Sequence, residues 1–358
     1  MIDPRVKKLA EVLVDYSVFV KKGENVMISG SSTEADLIRE IYRLVIKRGA
    51  YPFVDIGVPG MSYIYYKNAS IEQLKKFPNI RDYIVRNCQK YIGIGSPTNT
   101  REFSNIDPKR LAIRSKVVRP ITDYIVNSQP KMYRVTLDYP TPALAQDAEM
   151  STEEYEDFLF GACLLDWKKL SKEFRRLQKI LNAGKVVRIV GEDTDLTLRI
   201  YKKSFIVDDG KENMPGGEIF CAPEKFSAEG HIRFTYPAIR DSVQVDNIYL
   251  EFKKGKVVKA TADKNEKFLK QMIAMDKGSC YLGELGIGMN PKITKFTKNL
   301  LFDEKIGGTI HLALGMAYKA CGQPNKSALH WDIVKDLRRG GRLYLDGRLI
   351  QKDGKWLV

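Results

Sequence analysis

The sequence predicts a multi-domain α+β protein: an N-terminal βαβ parallel-sheet domain over 1–145, then a β-rich domain over 146–358. Three observations lead there. A chain of 358 residues is longer than one ordinary core accommodates. Its first third alternates short apolar runs with stretches of helical apolar spacing. After Gly184 the pattern changes to short runs separated by glycine-rich and charged turns.

The elements follow in order. Asn25–Gly30 reads as a strand, and Ser31-Ser32-Thr33 as the cap of the helix after it. Leu37, Ile38, Ile41, Tyr42, Leu44 and Val45 then recur at helical spacing, and Gly49 ends the helix. Pro52–Ile56 is the next strand, so the unit is βαβ with parallel strands and a right-handed crossover. Tyr91–Gly95 and Tyr133–Leu137 extend the sheet. Gly30 with its serines lacks the spacing of a phosphate-binding loop and reads as a tight strand-to-helix turn.

Asp138-Tyr-Pro-Thr-Pro marks a boundary. Ser151 and Glu154 have capping-box spacing and open a helical stretch to about Leu181. Lys185–Val190 and Leu196–Ile200 flank a polar turn as a hairpin. Gly230–Tyr236, Val243–Phe252 and Lys256–Ala260 read as further antiparallel strands, the last two joined by Lys-Lys-Gly.

Composition narrows the function classes. Charged residues make up 29% and hydrophobic residues 44%, with 59 Lys+Arg against 44 Asp+Glu and a formal charge of +15. The basic residues are mixed with acids along the whole chain, so a solvated, ion-pair-rich surface is expected and nucleic acid is not the expected partner. No apolar run reaches the roughly 18 residues of a membrane span. The N-terminus lacks the apolar core of a signal peptide, which makes a cytoplasmic location the expectation. The five cysteines are scattered with no Cys-x-x-Cys pair, as buried thiols would be.

The chemistry-bearing residues concentrate in the C-terminal half. His330 and Asp332 are two apart, which on a strand puts an imidazole and a carboxylate on one face. His311 and two glutamates, Glu218 and Glu284, also sit in glycine-rich apolar segments. A charge there is costly unless it is paired or bound to metal. Two histidines and three carboxylates suit divalent metal. Tyr318, seven residues after His311, would return to the same face on a helix, as a ligand, an oxyanion donor or a packing residue. Asp303 and Glu304 read as supporting groups, not ligands, and His231 matches no ligand pattern. No GxSxG or HExxH motif is present.

At these residues the chain resembles the thermophilic-type metallo-aminopeptidases, the family containing aminopeptidases T, S and II. The matching segments are Asn-Met-Pro-Gly-Gly-Glu-Ile-Phe (213–220), Leu-Gly-Glu-Leu-Gly-Ile-Gly-Met-Asn (282–290), the run from Leu300 to Gly315, and Ser-Ala-Leu-His-Trp-Asp (327–332). Weaker matches at 20–28 and 140–151 extend the resemblance over nearly the whole chain. The resemblance implies that Glu218, Glu284, His311, Tyr318, His330 and Asp332 are the metal-site positions, with Glu284 and Tyr318 as catalytic candidates. It implies two divalent ions (zinc or cobalt first, manganese or magnesium as alternatives) and hydrolysis of the N-terminal residue from peptides with a free N-terminus. A homodimer is implied too. In this reading Glu218 bridges the ions, Glu284 is a ligand or the general base, and Tyr318 is a ligand or an oxyanion donor. The segment between Tyr318 and Ser327 departs from the family's pattern. The alternative functions are hydrolysis of another amide or ester at the same metals, or non-catalytic binding of peptide or nucleic acid.

Overall fold

The computed structural model describes residues 2–201, 203–241, 243–321 and 325–358. It is a mixed α/β structure with one parallel sheet and several antiparallel ones. Two compact units account for the chain: Met1–Leu165 with Gly210–Gly216, and Asp166–Asp209 with Gly217–Val358.

The first unit is built on strands β1 (Asn25–Ser31), β2 (Tyr51–Gly57), β3 (Lys90–Gly95) and β4 (Tyr133–Asp138). They are ordered β2-β1-β3-β4 and all run parallel. Val26, Met27 and Ile28 of β1 are buried, and the helix Ala35–Lys47 covers the sheet with Leu37, Ile38, Ile41 and Val45. The turn between them is a capping box in which the Glu34 carboxylate accepts from the Ser31 amide. Glu34 is itself buried and also accepts from the Ser96 hydroxyl. A carboxylate therefore fills this turn, in agreement with its reading as a turn and not an anion cradle. A fifth parallel strand, Asn213–Met214, joins β4 from far along the chain. The sequence showed no sign of that strand, because two residues carry no periodicity.

The helical stretch from Ser151 is two helices, Thr152–Cys163 and Trp167–Leu181. Asp166 caps the second by accepting from the Lys169 amide. The compact units divide at this break, between Leu165 and Asp166, whereas the sequence reading drew the boundary at 145/146.

The second unit contains an eight-stranded antiparallel sheet running from Lys256–Thr261 at one edge to Lys355–Trp356 at the other. The expected hairpin is present as Val186–Gly191 paired with Thr194–Arg199. The expected strand over Val243–Phe252 is instead two. Val243–Val245 pairs with Ala238–Arg240 in a separate ribbon, and Tyr249–Lys253 joins the large sheet. Asn247 separates them with φ of 53°, a left-handed conformation that asparagine tolerates and a continuing strand does not.

The other sheet of this unit carries the candidate site. Its strands are β5 (Ile206–Asp208), β6 (Glu218–Cys221), β7 (Leu282–Gly288), β8 (Thr309–Gly315) and β9 (His330–Asp336). Their order is β9-β8-β7-β6-β5, antiparallel throughout.

Candidate metal centre

Strands β7 and β8 are buried at every residue, which is why they read as near-continuous apolar and glycine runs. A polar side chain there has only protein around it. The register puts the candidates in neighbouring rows. Glu284, Ala313 and Asp332 form one cross-strand row, and Phe220, Gly286 and His311 form another two residues along. Glu218 pairs with Gly288, and His330 with Gly315. Small residues thus alternate with the ligating types and leave room between them.

Five of the six sequence candidates converge. His311 Nε2 lies 3.2 Å from Glu284 Oε1 and 3.5 Å from Glu218 Oε2. His330 Nε2 lies 3.3 Å from Asp332 Oδ2 and 3.9 Å from Glu284 Oε2. Glu284 therefore faces one histidine with each oxygen. Glu284 is thus the carboxylate that faces both imidazoles, while Glu218 faces His311 alone. Both imidazoles are oriented by backbone: His311 Nδ1 donates to the Glu304 carbonyl at 3.1 Å and His330 Nδ1 to the Met316 carbonyl at 2.8 Å. Each ring then presents Nε2 to the carboxylates, the tautomer that metal-binding histidines use.

Burial pushes the Glu218 carboxyl well above the usual glutamate range, with the Glu304 charge adding to it. Burial raises Glu284 as well, against the hydrogen bond from His311. For Asp332 burial also acts upward, but His330 beside it holds the carboxyl below its ordinary value. Burial alone would lower both histidines. Instead, Glu284 and Glu218 push His311 up to about 10, and Asp332 takes His330 to about 9. The cluster has an excess of negative charge that it meets by taking up cations or protons.

The fit to a divalent ion rests on unused donor atoms. Glu218 Oε2, Glu284 Oε2 and Asp332 Oδ1 are buried with no hydrogen-bond partner. An unsatisfied buried polar atom costs about 1–3 kcal/mol, so three in one pocket need a common partner. Glu218, Glu284 and His311 each offer an atom within 4.8 Å of the others. Two imidazole nitrogens with carboxylate oxygens form a set suited to zinc and its first-row neighbours.

Tyr318 is placed differently from its expected geometry. His311 is on a strand, not a helix, and Tyr318 lies beyond that strand's end at Gly315, outside regular secondary structure. It still reaches the cluster's rim: its ring is edge-on to His330 at 5.2 Å and to Phe220 at 6.2 Å, and 42% of the residue is exposed. Burial of the hydroxyl, with the nearby carboxylates, raises its pKa. The divergent segment after it falls partly at 322–324, outside the described residues. His231 is on the eight-stranded sheet, stacked on Tyr249 and 3.9 Å from Asp193. Asp303 accepts from the Thr297 amide and hydroxyl at 2.7 and 2.9 Å.

Lys305 escaped the sequence reading. Its side chain is fully buried, and its ammonium donates to Glu304 and to the Leu301 carbonyl at 3.1 Å. It also lies 3.4 Å from Glu218 Oε1 and 3.9 Å from Asp208 Oδ2. Burial alone would lower its pKa, but Glu218, Glu304 and Asp208 together raise it above the ordinary lysine value.

Comparison with known proteins gives the same direction. Aminopeptidase AmpS of Bacillus subtilis (strain 168) is 24% identical over 98% of this chain and 93% of its own length. Aminopeptidase PepS of Streptococcus thermophilus is 25% identical over 99% and 98%. Wild-type AmpT from Thermus thermophilus shares the fold with a TM-score of 0.86 at 20% identity, covering 99% of both chains. A 2,5-dihydroxypyridine dioxygenase from Pseudomonas putida KT2440 has a TM-score of 0.59 at 12% identity over 99% of this chain and 97% of its own. The fold alone therefore does not decide the reaction. The family does: the thermophilic metalloprotease (M29) description matches residues 2–356, and the chain belongs to that family of metal-dependent peptide-bond hydrolases.

Proposed function

We propose that this chain is an aminopeptidase that works with two divalent ions held by Glu218, Glu284, His311, His330 and Asp332, in a catalytic unit that follows a parallel-sheet domain. The observation that carries this reading is the buried cluster of three carboxylates, each with an unpartnered oxygen, beside two oriented imidazoles. The aminopeptidase names of the relatives supply the substrate class, peptides with a free N-terminus. Zinc or cobalt is our first choice of ion, with manganese and magnesium as alternatives.

Ions bound at such a site acidify a water molecule and polarise a carbonyl oxygen. The side chains do the rest. Glu284 is the carboxylate common to both histidines, and it takes a proton and returns it to the leaving amine. The two backbone carbonyls keep each imidazole from turning away. Tyr318, at the rim beside His330, serves as a hydrogen-bond donor for the developing oxyanion. Burial of the carboxylates on β6, β7 and β9 keeps water from competing for their oxygens.

We also propose a homodimer. Tyr51, Phe53 and Ile56 are exposed on β2, an edge strand, and Ile80 and Tyr83 are exposed in the same unit. An unpaired edge with apolar side chains invites association. Five free, buried cysteines suit the reducing cytoplasm. No helix among the described residues is long and apolar enough to cross a membrane.

The test is release of leucine from an unblocked leucyl peptide, after chelation and after restoring Zn²⁺ or Co²⁺, with the N-acetylated peptide as control. Metal-restored cleavage of only the free peptide is expected. Cleavage of neither, or of both equally, would overturn the aminopeptidase reading.

A further inference from the structure

Among the described residues Lys305 is the one fully buried ammonium at the site, and it meets Glu218 through the oxygen that does not face His311. Glu218 has two oxygens with different surroundings. Oε1 lies 3.4 Å from Lys305 Nζ, while Oε2 lies 3.5 Å from His311 Nε2 and has no hydrogen-bond partner. Lys305 is held in place by the Leu301 carbonyl and Glu304, with Asp208 also within 3.9 Å. Two consequences follow. One Glu218 oxygen is already committed to a cation. A permanent positive charge also sits one carboxylate away from any ion held by Glu218, Glu284 and His311. No lysine lies within ion-pair distance of Asp332, on which the Lys305 charge acts only from farther off: the cations within ion-pair distance of a pocket carboxylate, among the described residues, are Lys305 and the two histidines.

We propose that Lys305 is a built-in counter-charge that makes the Glu218–Glu284–His311 side of the pocket the weaker of two cation subsites. This rests on the metal-site reading above and deepens it. Repulsion between like charges in a buried, low-dielectric setting is strong, and the monodentate use of Glu218 removes a donor from that side. Lys305 acts through Glu218 and is a positioning residue. Glu304 opposes it: by pairing with the ammonium, its carboxylate reduces the charge that the incoming ion meets.

The opposed signs supply the test. Zn²⁺ is titrated by calorimetry, with a competing chelator, into wild type stripped of metal and into Lys305→Met and Glu304→Gln, each checked for folding by circular dichroism. Wild type is expected to take its second ion at least tenfold more weakly than its first. Lys305→Met should tighten the second step at least tenfold and leave the first unchanged, while Glu304→Gln should weaken it. A merely structural role would weaken binding in both variants. An unchanged or weaker second step in Lys305→Met, or movement of both variants in the same direction, overturns the proposal. If Lys305→Met does not fold, Lys305→Gln takes its place, and an unchanged or tighter second step in Glu304→Gln overturns the proposal by itself. Failure of wild type to bind Zn²⁺ at all would instead bring down the metal-site reading on which this rests.

Discussion

The ring of His311 occupies the space in which residue 286 would carry a Cβ. Gly286 pairs directly with His311 across β7 and β8. A Cβ there would collide with Cε1 and Nε2 and stand 2.8 Å from Nδ1. The glycine is thus a condition for the histidine's position, and the two residues act as one feature of the site.

Gly286→Ala should therefore displace the imidazole. Overpacking of this kind costs about 1–3 kcal/mol, so the variant should fold with a lowered thermal midpoint. Its metal content, measured by inductively coupled plasma mass spectrometry, should fall together with activity. Full metal with full turnover would show that the ring has another place to go.

Glu284→Gln keeps the shape of the central side chain and removes its charge and its proton-accepting capacity. Loss of general-base help typically costs about two to four orders of magnitude in rate. We expect a loss at the upper end of that range with metal content also reduced, because the same carboxylate serves both histidines. Glu218→Gln and His330→Ala should each lower metal content and activity together. Normal metal and normal kcat in any of the three would remove that residue from the site.

Much of this site was legible beforehand, for a physical reason. A charged residue inside an apolar, glycine-rich run must find a partner, and that picked out Glu218, Glu284, His311 and the His330–Asp332 pair. Strand periodicity placed the last two on one face, as β9 does. Other features carried no such signal. The i, i+7 relation of His311 and Tyr318 invoked a helix, but a buried strand and a buried helix of this composition have similar patterns, and β8 is a strand. Lys305 follows Glu304, and an adjacent Glu-Lys pair reads as surface; only the packing shows it buried. The helix Pro108–Asn127 went unread because it buries little beyond Ile121 and contains Pro120. The break at 164–166 was hidden because both flanking helices are good helix sequences.

Tyr318→Phe separates packing from chemistry. The ring contacts with His330 and Phe220 survive the change, so metal content should stay at the wild-type level. Removal of an oxyanion donor typically costs about 10²–10³ in kcat. We expect a loss of kcat of that order with KM little changed. An unaltered kcat would reduce Tyr318 to a packing residue.

Asp303 sets a pH dependence on stability. Its carboxyl is pushed up from 3.8 to about 7, by burial first and by the Glu304 charge, against hydrogen bonds from Thr297. An acid raised in the folded state gives stability that is complete below its unfolded pKa and is lost as pH rises through the folded one. The fold should lose stability on this account between about 4 and 7, with a slope of at most about 1.4 kcal/mol per pH unit. Asp303→Asn has no such proton to lose. Its thermal midpoint relative to wild type should therefore rise between about pH 5 and pH 8, measured by scanning fluorimetry in chelator. A constant difference across that range would show that Asp303 is ionised or neutral in both states alike.

The most direct measurement is anomalous diffraction at the zinc edge from crystals of the Zn²⁺-loaded protein. The expected result is anomalous density in the pocket bounded by Glu218, Glu284, His311, His330 and Asp332, with Glu284 next to every ion found there. Zinc bound elsewhere, with these five side chains left to one another, would contradict the assignment of the metal centre.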